Sequence, residues 1–290
     1  MTGVAAIDGP VARAPRRRSR GLPGRAGRAV LIVAVAVVFL FPLFWVVITS
    51  LASSDSVYTP TPNFIPQWNW DNYVRAWQGA PWLRYFGNTV FIAGTVAALC
   101  VTTSLLAGFA FALMRFRGRG VAFALTISVL MVPEAVLLIP NFLVASRAGL
   151  LDTYLIQIIP WAATGFGVFL VRQFFQTLPP EIFEAAEIDG AGPLRMLFQV
   201  GAPLAVPSLV LVGLNAFLGS WNSFLWPYLF TSSDAMRPIQ VGLQQFFGAE
   251  GTDWTGLSAA VVFTTIPLVV LFLFLQRFFI SDAFAGAVRG

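Results

Sequence analysis

The chain has 290 residues, 57% of them hydrophobic and 11% charged, with a formal net charge of +5 and a mean hydropathy of +0.77. Soluble domains carry about 25% charged residues, so the expected solvent is a bilayer. There is no His, no Lys and one Cys, Cys100, which excludes a His/Cys metal site, a Ser-His-Asp triad, an internal disulfide and a phosphate loop of the G-x-x-x-x-G-K-[ST] type.

Residues 1–27 are rich in Pro, Gly and Ala and hold the cluster Arg16-Arg17-Arg18 with Arg20; a disordered basic tail is expected. Crossing a hydrocarbon core of about 30 Å takes roughly 20 apolar residues in a helix. The first such run, 29–51, is longer than the 7–15-residue core of a signal peptide and reads as an uncleaved span. Residues 52–87 follow, and Trp68, Trp70, Tyr73, Trp77 and Trp82 in them suit a membrane interface. The second span is expected over 88–114 and the third over 121–146, with Glu134 inside it and Pro133 and Pro140 interrupting it. The fourth covers 153–171, the fifth 203–230 and the sixth 254–276, with a longer polar loop at 231–253. The fold class is therefore an all-α membrane protein with about six transmembrane helices.

Orientation follows from the arginines, because positive charge near short loops is retained in the cytoplasm. Fourteen of the eighteen fall before residue 29, in 115–120, in 172–202 and after 276; the other four are Arg75, Arg84, Arg147 and Arg237. Both termini are expected in the cytoplasm. The basic balance thus reports topology, and no nucleic-acid partner is expected.

The segment from Leu178 to Pro203 reads as a short helix, a turn and a second helix. Pro179 and Pro180 are tolerated at a helix start, and Glu181 and Glu184 complement its positive end. Gly190 suits the left-handed residue that stops a helix, and Pro193 can begin the next. Ala185 and Ala186 form a small surface flanked by Ile182 and Phe183, suited to a groove on another protein. The competing reading is an ordinary solvated loop.

This segment resembles the EAA loop of binding-protein-dependent ABC importers, whose pattern is E-A-A, three residues, G, nine residues, I-x-L-P. Glu184, Ala185, Ala186 and Gly190 match it, and Val200-Gly201-Ala202-Pro203 stands where I-x-L-P is expected, with Ala202 in place of Leu. The resemblance implies that 181–203 forms a cytoplasmic coupling helix seated on an ATPase subunit, with Glu184, Ala185, Ala186 and Gly190 in the contact. Asp71-Asn72-Tyr73, Gly149 to Tyr154, Ser220-Trp221-Asn222 with Trp226-Pro227, and Gly286 to Gly290 are similar to the second permease of carbohydrate importers of the maltose and glycerol-phosphate type. The likeness covers roughly residues 30–290. It implies a bacterial inner-membrane, non-catalytic permease subunit that pairs with another permease, two ATPase subunits and an extracytoplasmic solute-binding protein. ATP and Mg would sit on the ATPase partners, with no cofactor on this chain. The rival is a stand-alone secondary carrier, which would need no such loop.

Four residues are candidates for the solute pathway. Glu134 is the ionisable residue deep within an expected span, where charge is costly and faces a cavity or a partner; a pathway role and a place at a helix–helix interface both remain open. Asn215, Trp221 and Asn222 combine a stacking ring with amides able to bond sugar hydroxyls, or else they join helices and fill space.

Overall fold

The computed structural model describes residues 25–61, 63–248 and 251–287, of which 25, 26, 275 and 277–287 are described by backbone alone. The expected disordered tail lies outside the described residues for 1–24, whereas 25–27 are helical. The chain divides at Trp45/Val46 into two compact units.

The first unit is most of helix α1 (Arg25–Ser50). It is apolar on every side, and Val38 and Phe39 are 70% and 76% exposed. A helix with no polar face is one that lies in lipid or against other spans.

The second unit opens with α2 (Ser54–Val57) and α3 (Asp71–Gln78), then α4 (Trp82–Leu113). α4 starts six residues before the expected Asn88, because its polar first turns are satisfied locally. Tyr85 Oη donates to Asp234 Oδ1 at 2.6 Å, and Asn88 Nδ2 donates to the carbonyls of Ala235 and Arg237, both at 2.9 Å. Thr89 Oγ1 accepts from the Ile239 N–H at 2.8 Å. Trp82 is not an interfacial ring as expected: it is buried, donates Nε1 to the Ala76 carbonyl at 2.7 Å and stacks on Phe246. Trp68, Trp70 and Trp77 remain exposed.

The third expected span is two helices, α5 (Arg119–Ser128) and α6 (Glu134–Arg147), bent by 98°. Val132 is extended (ψ 117) because the ring of Pro133 disfavours helix for the residue before it. Pro140, expected to interrupt as well, lies inside α6 without ending it. The fourth is α7 (Tyr154–Ile158), a 3₁₀ turn (Ile159–Trp161) and α8 (Gly165–Thr177), and then comes α9 (Glu181–Ile188).

Next are α10 (Pro193–Arg195), a π-helical stretch (Met196–Gly201), α11 (Ala202–Leu204) and α12 (Val206–Trp221), with a 79° bend before α12. Pro203 and Pro207 offer no N–H to the carbonyls of Gln199 and Pro203, which is where the ladder gives way. α13 (Leu225–Phe230), α14 (Ile239–Gly242), a two-residue hairpin of β1 (Phe247–Gly248) and β2 (Gly251–Thr252), and α15 (Trp254–Ala287) complete the chain. Among the described residues four helical stretches, with α7 to α8 (Tyr154–Thr177) taken as one, are long and apolar enough to cross a membrane, and six spans result if each bent pair counts as one.

The core forms where α4 packs against α8 and α12. Small residues permit the α4–α8 approach. A Cβ on Gly108 would come within 2.7 Å of Val171 Cγ1, and one on Gly167 would collide with Ser104 Oγ. The N-terminal end of α4 meets segments 52–81 and 231–246; its C-terminal end meets α9 and the π-helical stretch.

Candidate functional site

A cavity of about 400 Å³ lies beside the N-terminal half of α4, within the 300–1,000 Å³ typical of ligand sites. Thr89, Ile92, Val96 and Cys100 of α4 form one wall, and Asn215, Gly219 and Ser220 of α12 another. Three places where helices break contribute as well. Glu134 follows the Val132–Pro133 break, Trp161 and Thr164 flank the one before α8, and Ser223 and Phe224 lie in the one after α12. Irregular backbone at membrane depth is tolerated where it lines a cavity or is buried in protein. Convergence of three breaks on one cavity follows from that rule.

Aromatic side chains shape the cavity. Trp161 meets Trp226 edge-on at 5.4 Å, and Trp226 donates Nε1 to the Ile156 carbonyl at 3.0 Å while stacking on Phe230. Cys100 Sγ donates to the Trp161 carbonyl at 2.9 Å. Glu134 and Asn215, singled out in the sequence, line the same cavity from different helices, and among the described residues no side-chain hydrogen bond or ion pair engages either.

Trp221 and Asn222 are not brought to it. Trp221 is 2% exposed, and its ring face is taken by Phe217 at 5.6 Å, so it cannot stack on a solute. Asn222 spends its Nδ2 on the Leu218 carbonyl at 2.9 Å, closing the end of α12.

The second feature is α9. It ends in a Schellman turn: Gly190 N–H donates to the Glu187 carbonyl at 3.0 Å and Ala191 N–H to the Ala186 carbonyl at 2.9 Å, with Gly190 at φ +79. Pro193 then opens α10. Ile182, Glu184, Ala185 and Ile188 are exposed, and Ala186 is half-buried.

Phe183, read from the sequence as part of the outer surface, instead turns inward. It is 6% exposed and edge-on to Phe109 of α4 (6.4 Å) and Phe175 of α8 (6.3 Å), which meet each other at 5.6 Å. Gly201 fits beside this trio, since a Cβ there would lie 3.3 Å from Phe175 Cε1. Phe183 and Ala186 are three apart and share a helix face, but that spacing does not say whether the face meets this chain or a partner. Arg172 adds a tie nearby, donating Nε to the Phe111 carbonyl at 3.3 Å with its guanidinium 4.1 Å over the Phe123 ring.

Comparison with known proteins gives consistent matches. Residues 101–283 match the family described as binding-protein-dependent transport system inner membrane component. The chain is 33% identical over 268 residues to the arabinooligosaccharides transport system permease protein AraQ of Halalkalibacterium halodurans, covering 88% of this chain and 93% of that protein. It is 31% identical over 262 residues to the probable ABC transporter permease protein YurM of Bacillus subtilis (89% and 85% covered). It is also 31% identical over 260 residues to the sn-glycerol-3-phosphate transport system permease protein UgpE of Yersinia pestis (87% and 92%). Among solved structures, a chain of a bacterial ABC transporter that imports the acidic polysaccharide alginate shares the fold, with a TM-score of 0.75 at 24% identity and 88% and 95% of the two chains covered. A second structure, that of a bacterial alginate ABC transporter in complex with an alginate pentasaccharide-bound periplasmic protein, gives a TM-score of 0.62 at 16% identity, with 87% and 94% covered.

Proposed function

Because the chain belongs to the binding-protein-dependent transport system inner membrane component family, we propose that its transport is powered by ATP and Mg bound on two separate ATPase subunits. The chain is a permease subunit of an ABC importer, and the stand-alone secondary carrier is set aside. On our reading it carries no catalytic group or cofactor of its own. It pairs with a second permease, receives solute from an extracytoplasmic binding protein, and keeps both termini in the cytoplasm. Its solute is a sugar or related polyol; the relatives' names span neutral and acidic cargo, so kinship alone leaves the charge of that solute open.

The observation that carries this reading is the joint made by α9. Its inner face is held by Phe183 on α4 and α8, and its end is fixed by the left-handed Gly190. That leaves Glu184 and Ala185 exposed and Ala186 half-covered for an ATPase groove. From Phe109 to Cys100, which lines the cavity, is nine residues of one helix, about 14 Å. ATP-driven closure of the partners is passed along α4 to the cavity, where Glu134 and Asn215 face the solute.

The test is Glu184→Arg in the reconstituted complex, read as uptake, solute-stimulated ATP hydrolysis and co-purification of the ATPase subunit. Charge reversal at the positive end of α9 should weaken all three while insertion and pairing with the other permease persist. Unchanged uptake and ATPase retention would refute the assignment.

A further inference from the structure

We infer that this chain's half of the pathway discriminates by charge, admitting neutral polyhydroxyl or cationic solutes and rejecting anionic ones such as phosphorylated or uronic-acid sugars. This rests on the reading of the cavity as the solute pathway and adds the class of solute to it.

Among the described residues that line the cavity, Glu134 is the one acidic or basic side chain and none is an arginine; the Cys100 thiol there is spent on the Trp161 carbonyl. Its other unengaged polar groups, Asn215, Ser220 and Ser223, are neutral, and its walls include Trp161 and Phe224. The cation adjoining the lining in sequence is Arg237, next to Pro238. Its Nη1 is 3.3 Å from Asp234 Oδ1, and the two line a separate cleft with Tyr85. An anion entering from this side therefore meets a carboxylate with no compensating positive charge in the wall.

In a confined space with apolar walls, a like charge is repelled over several ångströms, more strongly than in bulk water. A sugar hydroxyl meets the opposite situation. A carboxylate accepts up to four hydrogen bonds, and Asn215 both donates and accepts. Indole and phenyl rings offer faces on which sugar C–H groups pack.

The experiment uses the full complex in membranes, with Cys100→Ser to remove the native thiol of this chain and Ser223→Cys to place one in the lining. The probes are two methanethiosulfonates of similar size, one bearing a trimethylammonium and one a sulfonate, and their rates are referenced to those with free 2-mercaptoethanol. Modification is read by mass on this chain. The cation-to-anion rate ratio should exceed the reference by on the order of tenfold at low ionic strength and shrink with added salt. Glu134→Gln should return it to the reference, and Asn215→Asp, which adds a second carboxylate to the lining, should raise it. A ratio at or below the reference, or one indifferent to both substitutions, overturns the inference while leaving the pathway intact. If neither reagent reacts in any nucleotide state, the cavity is not an aqueous path, and the reading beneath the inference falls with it.

Discussion

Phe183 of the short helix α9 stands edge-on to Phe109 of the long helix α4, with ring centroids 6.4 Å apart and planes at 71°. Phe175 closes the triangle, so one aromatic trio binds three helices. Edge-to-face pairs are worth about 0.5–1.5 kcal/mol beyond area burial.

Phe183→Ala should cost about 3–5 kcal/mol locally, loosening α9 from the spans without preventing insertion. The expected result is loss of solute-stimulated ATP hydrolysis, with partial recovery in Phe183→Leu. Parental stimulation in the Ala variant would show that the seat is not needed.

Gly190 offers a cleaner perturbation, because among the described residues none beyond its chain neighbours has an atom within 4 Å of the position a Cβ would take. The cost of a side chain there is backbone strain alone, about 1–2 kcal/mol. Uptake should fall in the order Asn, Ala, Val, since Asn tolerates the left-handed region best and a branched β-carbon worst. A different order, or no effect from Gly190→Val, would count against the turn's role.

For topology, a reporter active only outside the cytoplasm should work when fused after Ser56 or Gly251 and be silent after Gly118 or Ala191. The structure places segment 52–81 and the 231–246 segment around one end of α4 and α9 around the other. Activity after Gly118 would invert the orientation and remove α9 from reach of a cytoplasmic ATPase.

Glu134→Gln should lower uptake with little loss of assembled complex, because it keeps shape while removing the charge from the cavity. Glu134→Leu separates this from a packing role. If both variants transport like the parent, Glu134 is neither a pathway group nor a needed partner.

Asp152 gives a pH dependence outside the spans. Its Oδ1 accepts from the N–H groups of Ser232 and Ser233, each at 3.0 Å, and its own N–H donates to the Phe230 carbonyl at 2.8 Å. The bond from Ser233 N–H is the main reason its carboxyl is held below the ordinary 3.8. A depressed value in the folded state means the stabilisation is present above the ordinary carboxylate range and is lost as pH falls through the lowered one. Protection of the Ser232 and Ser233 amides, measured against Asp152→Asn, should therefore hold at neutral pH and converge on the variant's only in acid below about pH 4. Equal protection of parent and variant across all pH would remove the carboxylate from the clamp.

The fold was largely legible because spans are written in composition: runs such as 29–51 and 254–276 declare themselves by apolar length. What sequence could not give was where a run bends. Pro133 and Pro140 both read as interruptions of the 121–146 run, yet only the extended residue before Pro133 turns it, through 98°, while Pro140 leaves its helix unbroken. The turn at Gly190 was readable from residue type, since few residues adopt a positive φ. The cavity was only half readable: Glu134 announced itself by its charge, but Trp221 and Asn215 look alike as candidates until packing shows one buried against Phe217 and the other open. Phe183 faced the wrong way in the sequence reading because an amphipathic eight-residue helix does not say which of its neighbours is its own chain.

No proline occurs between Trp82 and Leu113, so α4 keeps an unbroken hydrogen-bond ladder, whereas each of the cavity's other walls adjoins a break. Stiffness is therefore distributed unevenly around the cavity. α4 behaves as a rod: a load applied at Phe109 arrives at Cys100 and Thr89 with little loss to internal bending. The facing walls are jointed and yield at their breaks. A cavity built from one rigid stave and three compliant ones changes shape by deflection of the compliant side, and its geometry at any instant is referred to the rod.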